Sequence, residues 1–180
     1  MNELPFNFPV NVRKLPKKGT HTNYQADQPT REKIAAEYDL LEMSDFHGSC
    51  LISPWKRDGV KLSGVVAASY SQPCATTGEP LDVELEEKFE ALFVPEGSKL
   101  SKPQLDEEGE MIVDPFGEDM PDIFQGDSID LAQVWLEFFD LAHDPFARAD
   151  DAKMDKMGLD TDEESPFSAL EALKTSMKKQ

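Results

Sequence analysis

Five side chains in this sequence have the chemistry of ligands or nucleophiles: Cys50, Cys74, His21, His47 and His143. Cys74 stands in "YSQPCATTGEPLDVELEEKF", just after a proline and three residues before Thr77. A thiolate there could attack an electrophile with a histidine as base, since a Cys–His pair is assembled by the fold and not by sequence distance. It could ligate a metal, or it could be an inert thiol in a hairpin, the ordinary fate of a small buried side chain. No CxxC, HxxxH or HExxH spacing supports a metal site, and structural zinc sites need four ligands. No GxSxG, Walker or GxGxxG motif is present, and the carboxylates form no recognisable acid–base pair. The residues give no positive evidence for a catalytic group, a metal or a cofactor.

A second kind of chemistry belongs to charge. Arg13, Lys14, Lys17 and Lys18 form a basic segment without an acid, suited to phosphate contacts or simply to a solvated edge. The 180-residue chain as a whole carries 36 acidic and 18 basic residues, a formal net charge of −18. Such an excess repels nucleic acid at long range and favours a basic protein partner. From Asp106 to Asp130 there are ten acids and no base, interrupted by prolines and glycines, which reads as a solvated loop. Two cysteines make no disulfide framework, so reduced thiols in a cytoplasmic protein are expected. The N-terminus lacks the apolar core of a signal peptide, and no run reaches the ~18 apolar residues of a membrane span.

The elements that must position these groups follow from periodicity. Phe6, Phe8, Val10 and Val12 fall on one side of an extended chain, with Pro9 suggesting an edge strand. "QPTREKIAAEYDLL" predicts a helix capped by Thr30, with Ile34, Tyr38 and Leu41 on one face. "DFHGSCLI" predicts a strand of uncertain register. Val60, Leu62, Val66, Ala68 and Tyr70 alternate on one face, as do Leu81, Val83, Leu85, Phe89, Ala91 and Phe93. Between them "ATTGEP" supplies a turn, so residues 60–93 predict a β-hairpin. A helix over 81–93 would scatter Val83, Ala91 and Phe93 around the wheel. "SIDLAQVWLEFFDLAH" predicts the strongest helix, capped by Asp127 or Ser128 and ended by Pro145. Its apolar face holds Leu131, Val134, Trp135, Phe138, Phe139, Leu141 and Ala142, an ordinary core stripe. The expected fold is α+β: an antiparallel sheet with a central hairpin, covered by two main helices. One domain spans residues 1–148, a flexible acidic linker 149–164, and a short C-terminal helix 165–180.

The stretch around Cys74 resembles the YceD family, the large ribosomal RNA subunit accumulation proteins, through Gln72, Cys74, Thr77, Glu79, Pro80 and Phe89. "GDSIDLAQVWLEFFDLAHDPFARAD" is similar to that family's Asp-Leu helix and proline loop, through Asp130, Leu131, Glu137, Leu141 and Pro145. "SPFSALEALK" resembles its C-terminal segment. Together the three cover residues 30–174. Many members carry CxxC at the turn, where this chain has Cys74 and Thr77, which argues against a metal or redox role and for a structural one in the hairpin. The resemblance implies a non-enzymatic, cytoplasmic bacterial protein supporting synthesis, processing or stability of large-subunit ribosomal RNA. Its partners would be that RNA or assembling ribosomal proteins, with no membrane and no small-molecule substrate. The rival expectations are an acidic chaperone for a basic ribosomal protein and an enzyme using Cys74.

Overall fold

The computed structural model describes residues 4–101 and 120–149. Strands β1 (Pro9–Asn11) and β2 (Thr20–Gln25) precede helix α1 (Gln28–Glu37). Three long strands follow: β3 (Glu42–Trp55), β4 (Gly59–Pro73) and β5 (Pro80–Pro95). After a single 3-10 turn at Lys99–Ser101 come β6 (Asp122–Phe124), β7 (Ser128–Asp130) and helix α2 (Leu131–Ala142). The main sheet has five strands in the order β2-β3-β4-β5-β6, and β1 pairs with β7 in a separate ribbon.

This corrects the α+β expectation. Strands take 47% of the described residues and helices 20%, so the fold is mostly β. The sheet is mixed, because β6 runs parallel to the end of β5. Helix α2 alone lies across the centre of the sheet, while the ten-residue α1 packs beside β3 and buries only Ile34 and Ala35. The misreading has a physical cause. The strands run to 14–16 residues, but β3 is legible in the sequence only as Asp45–Ile52, because Gly48, like Gly64 in β4, interrupts the alternation. Both glycines mark close approaches. A Cβ at Gly48 would lie 2.5 Å from the Trp135 ring, and one at Gly64 would lie 2.0 Å from the Ser49 carbonyl oxygen.

The core lies between one sheet face and α2. Phe46, Ile52, Leu62 and Val66 are fully buried beneath Trp135, Phe139 and Leu131. Phe6, Phe8 and Tyr24 add a stacked aromatic edge: Phe6 lies 4.5 Å from Tyr24, and Tyr24 lies 5.8 Å from Trp135. Of the N-terminal run only Pro9–Asn11 forms ladder pairs, yet Phe6 and Val12 are buried and Phe8 and Val10 pack against the core.

The caps differ from expectation by a few residues. Asp27, not Thr30, caps α1, its carboxylate accepting from the Thr30 N–H at 3.0 Å. Asp130, not Asp127 or Ser128, caps α2, because Ser128–Asp130 first pairs with β1. Leu41 lies past the end of α1 and is exposed, and Leu141 is 74% exposed on the solvent side of α2. The acidic block over 106–119, the linker from residue 150 and the helix over 165–180 lie outside the described residues. No helix among the described residues is long and apolar enough to cross a membrane.

Candidate functional site

The hairpin tip and the loop after α2 close on each other. Tyr70, Gln72 and Cys74 follow one another at every second position on the buried side of the end of β4. Each fastens a different point of residues 143–149. The Tyr70 hydroxyl and His143 Nδ1 share a hydrogen bond at 3.0 Å. Gln72 Nε2 donates to the Asp144 carbonyl at 2.8 Å. The Ala75 N–H donates to the Ala147 carbonyl at 3.0 Å, and the Cys74 sulfur accepts from the Ala149 N–H. His143 also stacks on Phe139 at 5.7 Å, carrying the seam into the core.

The tip itself is a tight turn. The Cys74 N–H donates to the Glu79 carbonyl and the Gly78 N–H to the Cys74 carbonyl, each at 2.8 Å. Gly78 takes φ +72°, the left-handed conformation that this turn demands. The Thr77 hydroxyl bonds to the Cys74 sulfur and also accepts from the Glu79 N–H at 3.3 Å. Pro73 and Pro80 face each other where the ladder ends.

This arrangement makes the two thiols opposites. Burial pushes the Cys50 thiol up to about 11. Cys74 is only 3% exposed, yet its thiol is lowered to about 6. The Thr77 hydroxyl contributes most, followed by the backbone N–H groups of Ala149, Thr76 and Thr77, while desolvation opposes weakly. These donors favour the charged form and hold the Cys74 thiol below its ordinary value.

Because the folded value lies below the ordinary 9.0, these bonds add stability above pH 9 that is lost as pH falls toward about 6. Burial lowers His143 from 6.5, so further acidification opposes the fold in the same seam. We expect Cys74→Ser to flatten the stability profile between pH 9 and 6, measured by thermal melts. A serine variant whose melts keep the parent's pH dependence would show that the Cys74 thiol does not set it.

Of the motif positions, Gln72, Cys74, Thr77, Glu79, Pro80 and Pro145 come together at this end. Three do not. Phe89 is buried farther along β5, stacked on Phe138 at 4.9 Å. Asp130 caps α2, its Oδ1 accepting from the Phe8 N–H at 2.7 Å and the Ala132 N–H at 3.0 Å. Leu131 is core. Tyr70, His143 and the carbonyls of the loop were missed in the sequence; the shared parity of Tyr70, Gln72 and Cys74 was the available signal. Among the described residues no group of three or more His, Cys, Asp or Glu converges as metal ligands. His47 bonds instead to Asp45 at 2.7 Å.

At the opposite end of the sheet, two loops bring bases together. The β1–β2 loop carries Arg13, Lys14, Lys17 and Lys18, and Gly19 seats its end against Leu51, Ile52 and Ser53 of β3. The β3–β4 turn beside it carries Lys56 and Arg57. Arg13, Leu15, Pro54, Arg57 and Phe124 line a groove of about 380 Å³ between the two loops. Arg13 holds Asp127 at 3.0 Å, an exposed pair of little net stability. Lys56 lies 4.0 Å over the Trp55 ring. Lys56 and Arg57 were not singled out in the sequence, although "WKRDG" carries the Asp-Gly signal of a tight hairpin. No family model matches the chain, and comparison with curated proteins and with solved structures gives no match either.

Proposed function

We propose that this is a non-enzymatic, cytoplasmic assembly factor that supports large-subunit ribosomal RNA and touches RNA phosphate through its basic end. One observation carries the reading: in a protein of net charge −18, two adjacent loops carry Arg13, Lys14, Lys17, Lys18, Lys56 and Arg57, and Arg13 and Arg57 line the groove between them together with Asp58 and Asp127. Overall repulsion weakens over a Debye length, about 8 Å at physiological salt, so a local basic cluster can act at close range. The exposed Lys and Arg side chains suit the phosphate backbone, which positions a protein without reading sequence. The resemblance at the hairpin tip supplies the expectation of ribosomal RNA. The seam over residues 143–149 then has a structural task, tying the end of α2 to the hairpin.

Replacing Arg13, Lys14, Lys17 and Lys18 by alanine should weaken binding to large-subunit ribosomal RNA. It should also reduce the slope of log affinity against log salt by about 0.7–0.9 for each phosphate that no longer meets a cation. Fluorescence anisotropy with an rRNA fragment at several salt concentrations measures both. Adding Lys56→Ala and Arg57→Ala should deepen the effect. Unchanged affinity and slope would remove the basic end from the mechanism. In cells, depletion should lower the large subunit selectively in a gradient profile, and equal loss of both subunits would count against the reading.

A further inference from the structure

We propose that the outer edge of β5 accepts an extended protein segment rich in lysine or arginine as an added strand. The backbone gives the first reason. On one side β5 pairs with β4 from Pro80 to Phe93. On the other it meets β6 only at Phe93–Pro95. From Leu81 to Leu92 the second edge pairs with no strand among the described residues, and no loop backbone among them bonds to it. Alternate N–H and C=O groups of a strand point to each edge, so this one presents a long ladder template.

Charge decides the occupant. Asp82, Glu84, Glu86, Glu87 and Glu90 are distributed along this strand, and Lys88 is the one base among them. Lys61 of β4 meets Glu90 at 2.8 Å, so the remaining carboxylates carry most of the edge's negative field. A second copy of β5 would set like charges side by side, which opposes self-pairing. A basic strand is attracted by the same row. The acids thus protect the edge from its own kind while leaving it open to the opposite charge.

The alternation specifies more. Asp82, Glu84, Glu86 and Glu90 share the outer face, while Leu81, Val83 and Leu85 lie on the inner one, where Val83 and Leu85 pack against the core. A matching segment carries bases at alternate positions and apolar residues between them. Its bases then sit beside the carboxylates, and its apolar side chains extend the inner face past Val83 and Leu85. Main-chain bonds supply affinity and the alternating side chains supply choice, as in other strand-addition complexes. This surface is distinct from the basic end, and its occupant is a protein segment whether or not that end binds RNA.

The test uses the full chain and a labelled peptide of about 12 residues, the length of the open edge, alternating Lys or Arg with Val or Leu. A peptide of the same composition with its bases in one block, and one N-methylated at alternate amides, complete the set. We expect the alternating peptide to bind and to weaken as salt rises. Glu84→Gln with Glu86→Gln, which keeps side-chain size on the outer face, should weaken it about three- to tenfold. N-methylation that blocks the ladder face should cost about tenfold or more with charge unchanged. Equal binding by the methylated or blocked peptides would reduce the association to charge alone and overturn strand addition, as would no binding. If the Gln pair alters rRNA binding and leaves the peptide untouched, the edge belongs to an RNA interface and the proposal is also overturned. The four-alanine variant should bind the peptide no more weakly than the parent, so failure of the RNA reading leaves this result unaffected.

Discussion

Trp135→Ala should destabilise the protein by about 3–5 kcal/mol, the usual loss for a large aromatic side chain in a core. Trp135 is fully buried. It lies 5.5 Å from Phe8 and 5.8 Å from Tyr24, and its ring covers Gly48 on β3. Removing it opens a cavity between helix, sheet and N-terminal segment that no neighbouring backbone can fill. The loss is a large share of a typical total of about 5–15 kcal/mol, so the melting temperature should fall steeply. The indole Nε1 has no hydrogen-bond partner among the described residues, which costs stability in the wild type. Trp135→Phe should therefore be much milder than Trp135→Ala, because it removes the orphan N–H while keeping a ring over Gly48. Equal melting temperatures for the alanine variant and the parent would show that the face is exposed and open to a partner.

Gly64→Ala should be the other severe single change, despite adding only a methyl group. The new Cβ would stand 2.0 Å from the Ser49 carbonyl oxygen and 3.0 Å from both the Cys50 Cα and Phe89 Cζ. Two of these neighbours are backbone, so β3 and β4 must separate at the middle of their ladder, where Gly64 pairs with Cys50. Overpacking of this kind costs about 1–3 kcal/mol and more when backbone must move. Chemical denaturation should show a lower midpoint, and amide exchange should quicken for the Ser49 to Leu51 stretch. By contrast, Gly97→Ala has nothing within 4 Å of its Cβ and meets only the strain of φ +82°. A Gly64→Ala midpoint no lower than that of Gly97→Ala would show that the strands tolerate the methyl without separating.

What the sequence determined by itself was the local grammar. The alternation of Val60, Leu62, Val66, Ala68 and Tyr70 put five side chains on one buried face, and each is 4% exposed or less. The 100° spacing of Leu131, Val134, Trp135 and Phe139 placed the helix and its buried stripe, because short-range periodicity acts through residues two to four apart. Gly78 between two prolines marked the hairpin turn. Tertiary structure decided the rest. Leu141 sits at the margin of the stripe by angle and is 74% exposed, so the contacts of α2 decide which margin of the stripe is covered. Asp130 became the cap of α2 because a strand pairing, Val10 with Ile129, fixed the residues just before the helix. The Cys74 thiol is lowered first by the local Thr77 hydroxyl, and the fold adds the Ala149 N–H, 75 positions away in sequence. The basic end needed Lys56 and Arg57 carried to Arg13 by the pairing of β2 with β3, Thr20 opposite Ile52. Periodicity reports which way a side chain faces; which distant chain it meets is set only when the strands choose their partners and register.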